Sequence, residues 1–167
     1  MSQGTSSPSH GEQLARPLTA RPRYTTNMRV SQYMTAKVVT ARPADGARQT
    51  FFRMRELGIR HLPVVDDDHR LVGLISDRDL RRPGWVDEAP DLAHVYQLSD
   101  DLTVGDLMTT NVMVVHTYDP LHKAARIFVD RRFGALPVLD KDQALVGVLS
   151  PIDIIRAFED AVPEDKR

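Results

Sequence analysis

The chain is written twice. "LVGLISDRDL", Leu71 to Leu80, returns as "LVGVLSPIDI", Leu145 to Ile154. An offset of 74 also joins Met34 to Met108, Pro63 to Pro137, Gly73 to Gly147, Ser76 to Ser150 and Asp79 to Asp153, with no gap between them. Of the 53 pairs from Val30/Val104 to Arg82/Arg156, about sixteen are identical, where chance at average composition gives roughly three or four. A duplication in such strict register confines the chain to two copies of one supersecondary unit, each covering the other's apolar face.

Each copy has the same grammar. A short apolar run, Lys37 to Thr40 or Asn111 to Val115, reads as a first strand. A helical stretch follows over Gly46 to Leu57 or Pro120 to Arg131, with Ala47, Phe51 and Met54, or Leu121, Ala125 and Phe128, at spacings of three and four. Two β-rich runs, "HLPVVD" and "RLVGLIS", flank the polar turn Asp66 to His69, and the second copy places Asp140 to Gln143 there. That pattern predicts a hairpin. Gly73 and Gly147, inside the second run, predict a bulge or a close backbone approach. Ser76 and Ser150 then open a second helix, with Pro151 at a first helical position. The order is β-α-β-β-α, twice, an α/β fold.

A single copy of about fifty-five residues is small for an independent core, so the two are expected to pack around a pseudo-twofold axis. The expected boundaries are a disordered tail at 1–26, a first repeat at 27–82, a partly helical linker at 83–101, a second repeat at 102–160 and a C-terminal tail at 161–167. The first tail is rich in Ser, Pro, Gln, Thr and Arg and has little to bury. A hydrophobic content of 41% supports a packed core. A net charge of −1 gives no general attraction to nucleic acid or anionic membrane. No cysteine is present, which removes disulfides and zinc–thiolate sites. No apolar run approaches the roughly 18–20 residues of a membrane span, and the N-terminus lacks the apolar centre of a secretory signal. The expected setting is cytoplasmic.

The repeated Ser-x-x-Asp at a helix start has two readings. As a capping box, Ser accepts from a backbone N–H while the acid reaches back, a contribution of about 0.5–2 kcal/mol. As a ligand grip, the free N–H groups of a helix start suit a phosphate, the hydroxyl adds a donor, and an Asp one turn on accepts from the paired hydroxyls of a ribose. The residues alone leave both readings open.

The in-register pair of "MT…LPV(V/L)D…LVG(L/V)(I/L)S-x-x-D" resembles a pair of CBS domains, a Bateman module, over about Val30 to Phe158. The resemblance implies a pseudo-symmetric α/β disc with two clefts. In such modules the clefts take adenine ligands such as AMP, ADP, ATP or S-adenosylmethionine. It also implies a regulatory role and a homodimer. Carried over by position, Asp79 and Asp153 would bind ribose, with Ser76 and Ser150 touching phosphate or ribose at the same helix starts. Thr40 would lie near the nucleotide, where copy two departs with Val114. Arg60 and His61 would face phosphate, where copy two has Gly134 and Ala135. Val38, Val112, Ile59 and Phe133 would form an apolar slot for the base. The cleft that receives Arg60 and His61 is therefore expected to be the stronger site.

Other chemistry is thinly supported. Asp66, Asp67, Asp68 and His69 read as a turn and not as a metal loop, because the second copy carries Lys141 there. No Walker-type loop occurs, and no resident cofactor or catalytic set is expected. The functional expectation is a stand-alone, non-catalytic sensor of an adenine nucleotide, acting through an unknown protein target or its own oligomeric state. Its rival is a dimerising scaffold in which the Ser-x-x-Asp boxes only cap helices.

Overall fold

The computed structural model describes residues 27–81 and 101–161. The expected N-terminal tail, nearly all of the linker, and the C-terminal tail beyond Ala161 lie outside them. In the first repeat, a helical turn α1 (Val30–Tyr33) precedes α2 (Ala47–Glu56), the strands β1 (His61–Val65) and β2 (Leu71–Ser76), and α3 (Asp77–Arg81). The second repeat runs α4 (Val104–Leu107), β3 (Val115–His116), α5 (Leu121–Arg131), β4 (Leu136–Leu139), β5 (Leu145–Leu149) and α6 (Pro151–Ala161).

The hairpins form as their turn chemistry dictates. β1 and β2 pair antiparallel with Val64 opposite Gly73, and β4 and β5 with Val138 opposite Gly147. A register shift follows each pair, at Val64/Val65 and Val138/Leu139, so the sequence glycines do mark bulges. In the turns, Asp66 Oδ1 accepts from the N–H groups of Asp68 and Arg70, and Asp140 Oδ1 from those of Asp142 and Ala144. Each acid thus holds the backbone of its own turn. Among the described residues no group of three or more His, Asp or Glu is placed to hold a metal ion.

The helices bury one stripe each. In α2 the buried residues are Ala47, Thr50, Phe51 and Met54; in α5 they are Leu121, Ala124 and Phe128, so Ala124 takes the inward place expected for Ala125.

The first strands differ from expectation. No strand forms over Lys37 to Thr40; a single parallel bridge joins Ala41 to Val64. In the second repeat the strand is Val115–His116, parallel to β4, and falls at the end of the expected run. The cause is a crossing. Thr35 exchanges both backbone hydrogen bonds with Val148 of the other repeat, at 2.9 and 3.0 Å, and only six residues later Ala41 bonds to β1 of its own. Thr109 does the same with Leu74, at 2.9 Å in both directions. The intervening residues span two sheets and so cannot pair along either.

This crossing interleaves the two cores. Val30 is buried among Val115, Leu121, Phe128, Leu136 and Leu149, whereas Val104 is buried among Phe51, Met54, Leu62, Ile75 and Leu80. Each opening turn is anchored by mirrored bonds: Val30 N–H to Asp119 O at 3.0 Å and Val104 N–H to Asp45 O at 2.8 Å. Burying a valine side chain contributes about 1.5–3 kcal/mol, and here each repeat draws that contribution from its neighbour.

Candidate functional site

Both Ser-x-x-Asp corners stand where a strand gives way to a helix. Asp79 Oδ2 accepts from Ser76 N–H at 2.9 Å and from Ser76 Oγ at 2.6 Å, and Ser76 Oγ accepts from Asp79 N–H at 3.2 Å. Asp153 Oδ2 accepts from Ser150 N–H at 2.8 Å and from Ser150 Oγ at 2.7 Å. The full capping box is therefore present at the first corner; at the second the acid reaches back to Ser150 in the same way, but Asp153 N–H donates to the Ser150 carbonyl, at 3.1 Å. The corners differ in what else they meet. Asp153 is only 5% exposed, and its Oδ1 accepts from Arg156 at 3.2 Å. Asp79 is half-buried, and its Oδ1 has no hydrogen-bond partner among the described residues.

Asp79 opens onto a cavity of about 770 Å³ between the repeats. The first repeat contributes Arg60, His61, Leu74, Ser76 and the α3 residues Asp77, Arg78, Asp79 and Arg81. The second contributes Thr109, Asn111, Val112 and Met113 from its crossing segment, and Arg132 to Ala135 from the link between α5 and β4. A volume of this size falls within the range of small-molecule sites.

The cavity is cationic. Four arginines line it against the two acids Asp77 and Asp79. Arg81 is paired with Asp77, and Asp79 is committed to Ser76. Arg60, Arg78 and Arg132 have no acidic partner among the described residues. His61 reaches across to the second repeat: a Cβ built on Gly134 would collide with its Nε2 and Cε1. Burial pushes the His61 imidazole below its ordinary value of 6.5; Asp77 and Asp79 oppose this shift, and Arg60 and Arg78 reinforce it.

Of the residues singled out in the sequence, Ser76, Asp79, Arg60, His61, Val112 and Phe133 are brought together here. Thr40, Val38, Ile59, Ser150 and Asp153 line neither this cavity nor a second one of about 390 Å³ that also borders Val112. Thr40 offers its backbone carbonyl to Arg53 at 3.3 Å, and Ile59 packs against the core of its own repeat. The sequence reading left Arg78, Arg81 and Arg132 out of the cleft. A comparison at the 74-residue offset carries the missed signal: their counterparts are Ile152, Ile155 and Gly58, so these three cations have no equivalent at the Ser150 corner.

Similar proteins share this architecture. CBSX2, a chloroplastic CBS domain-containing protein of Arabidopsis thaliana, is 30% identical over 148 residues, 77% of this chain. Two crystal structures of CBSX2, one in complex with AMP, superpose with TM-scores of 0.69 and 0.66 at 31% and 30% identity. They cover 79% of this chain and 94% and 96% of those chains. A homoserine O-acetyltransferase of Methanohalobium evestigatum is 30% identical over 78% of this chain. The chain spans 62% of the length of CBSX2 and 24% of that enzyme. The CBS domain family model matches at residues 30–83 and again at 104–160, and with the interleaved halves and the cleft between them this makes the chain a member of the CBS-domain family that carries a pair of CBS domains.

Proposed function

We propose that the chain is a regulatory module that binds an adenine nucleotide in the cleft at Ser76 and Asp79 and passes its occupancy to a partner protein or to its own oligomeric state as a homodimer. One observation carries this reading: an open cavity joins an acid–hydroxyl corner, an apolar wall at Val112 and Phe133, and three arginines, Arg60, Arg78 and Arg132, that have no acidic partner among the described residues. Asp79 would release Ser76 or use its second oxygen for the ribose hydroxyls, while the arginines hold phosphate. AMP in the CBSX2 complex supports the choice of an adenine ligand. The cationic lining favours AMP, ADP or ATP over S-adenosylmethionine, whose sulfonium is positive. The Ser150 and Asp153 corner would be the weaker or empty site. The reading assigns the chain no catalytic step, no nucleic-acid or membrane partner, and a cytoplasmic setting. Among the described residues no helix is long and apolar enough to cross a membrane.

The scaffold reading keeps one specific support, that both acids cap their own helices. Thermal melting with AMP, ADP, ATP and S-adenosylmethionine separates the two. A ligand at 100 times its dissociation constant adds about 2.7 kcal/mol of stability, whereas a flat response across the panel leaves the scaffold. Stabilisation of the wild type that survives in Asp153→Ala and disappears in Asp79→Ala is the expected pattern.

A further inference from the structure

Helix α5 ends on Arg132, whose φ of 55° and ψ of 32° lie in the left-handed region. The residue 74 positions earlier is Gly58, at φ 64°. Both repeats need a left-handed residue to turn this helix toward the next strand, and only the first uses glycine, which adopts the conformation freely. In any other residue the Cβ crowds the following carbonyl oxygen. His69 and Gln143, also at positive φ, sit at matching places in the two hairpin turns, so both repeats tolerate the conformation there. Among the described residues, Arg132 marks the one left-handed position at which the repeats differ in this way.

The disfavoured residue lines the cleft. Arg132 borders the 770 Å³ cavity from the second repeat, as Arg60 and Arg78 do from the first. Glycine would suit the backbone better and would leave that side of the cavity without a cation.

We infer that Arg132 is the residue with which the second repeat reads the phosphate of a nucleotide seated in this cavity, an inference that rests on the nucleotide reading above. Arginines gathered without carboxylates to balance them raise the potential of a cleft, and a phosphate both relieves their repulsion and accepts paired guanidinium bonds. Ser76, Asp79 and Arg78 belong to the other repeat, so a phosphorylated ligand held by Arg132 is held from both sides. A nucleoside without phosphate gains nothing from it. Arg132 sets the preference for phosphorylated over neutral ligands.

The test is calorimetric titration of the full chain with AMP and with adenosine, for the wild type, Arg132→Gly and Arg132→Lys, together with melting of each free protein. Arg132→Gly installs the residue used by the first repeat, so its melting temperature should hold or rise. Its affinity for AMP should fall about ten- to a hundredfold, as expected for a lost hydrogen bond to a charged group, with adenosine binding unchanged. Arg132→Lys should retain part of the AMP affinity. An undiminished AMP affinity in Arg132→Gly, or equal losses for AMP and adenosine, would overturn the role of Arg132 and leave the nucleotide reading intact. Wild-type protein that binds S-adenosylmethionine but not AMP, ADP or ATP would overturn this role together with the choice of a phosphorylated ligand. Failure to bind any of the four would overturn both.

Discussion

Met34 of the first repeat lies across Gly147 of the second, so close that a Cβ on the glycine would stand 2.5 Å from the methionine Sδ. The mirror contact, Met108 over Gly73, has the same separation. The glycine in each LVG run thus admits a side chain from the opposite repeat, not a ligand. Gly147→Ala should cost about 1–3 kcal/mol, the usual range for overpacking, measured as a shift in the urea midpoint. Shortening the methionine in the same protein, Met34→Ala with Gly147→Ala, should cost less than the sum of the two single changes.

The two capping acids should respond differently. Asp153→Ala removes a buried acceptor from half-buried Ser150 and leaves Arg156 without its partner, so a loss of about 1–3 kcal/mol is expected. Asp79→Ala removes a cap open to the cleft, and about 0.5–2 kcal/mol should suffice. Melting of the free proteins checks both.

His61 should leave a signature in the pH dependence of stability. Burial holds its folded pKa below 6.5, so the unfolded chain takes up the proton first as pH falls. The contribution of the neutral imidazole is fully present above about pH 6.5 and is lost as pH falls from there toward the folded value. His61→Asn should flatten this part of the profile in urea titrations between about pH 7.5 and 5.5. A profile identical in wild type and variant would contradict it.

Asp119 should act in acid. Burial alone would raise its pKa, but the N–H of His116 at 2.8 Å and Lys123 Nζ at 2.9 Å, with the charges of both residues, hold it below 3.8. Its stabilisation is present above that value and is lost as pH falls through the lower folded pKa. Asp119→Asn should cost about 1–3 kcal/mol at neutral pH. The gap to wild type should narrow below about pH 3.8, as followed by circular dichroism.

Much of this architecture is legible in the sequence because it is local. The hairpin turns at Asp66 and Asp140, the long helices and the Ser-x-x-Asp corners all depend on neighbours a few residues apart, and the 74-residue repeat shows each of them twice. What escapes is decided between the repeats. Lys37 to Thr40 has the apolar character of a strand, yet its flanks are pulled toward two different sheets. Ile59 and Phe133 are equivalent by position, yet only Phe133 faces the cavity, because the cleft takes one corner from each repeat. Arg78 and Arg132 are ordinary surface arginines by pattern, and only the approach of the two halves brings them to one cavity.

The placement of Val30 and Val104, each lodged in the opposite half, bears on what the peptide backbone between the halves must do. Once folded, they are joined by mutual insertion as well as by covalent connection. Cleavage between residues 82 and 100 should therefore yield two fragments that co-migrate as a noncovalent pair, and neither should persist as a folded species once its counterpart is withdrawn.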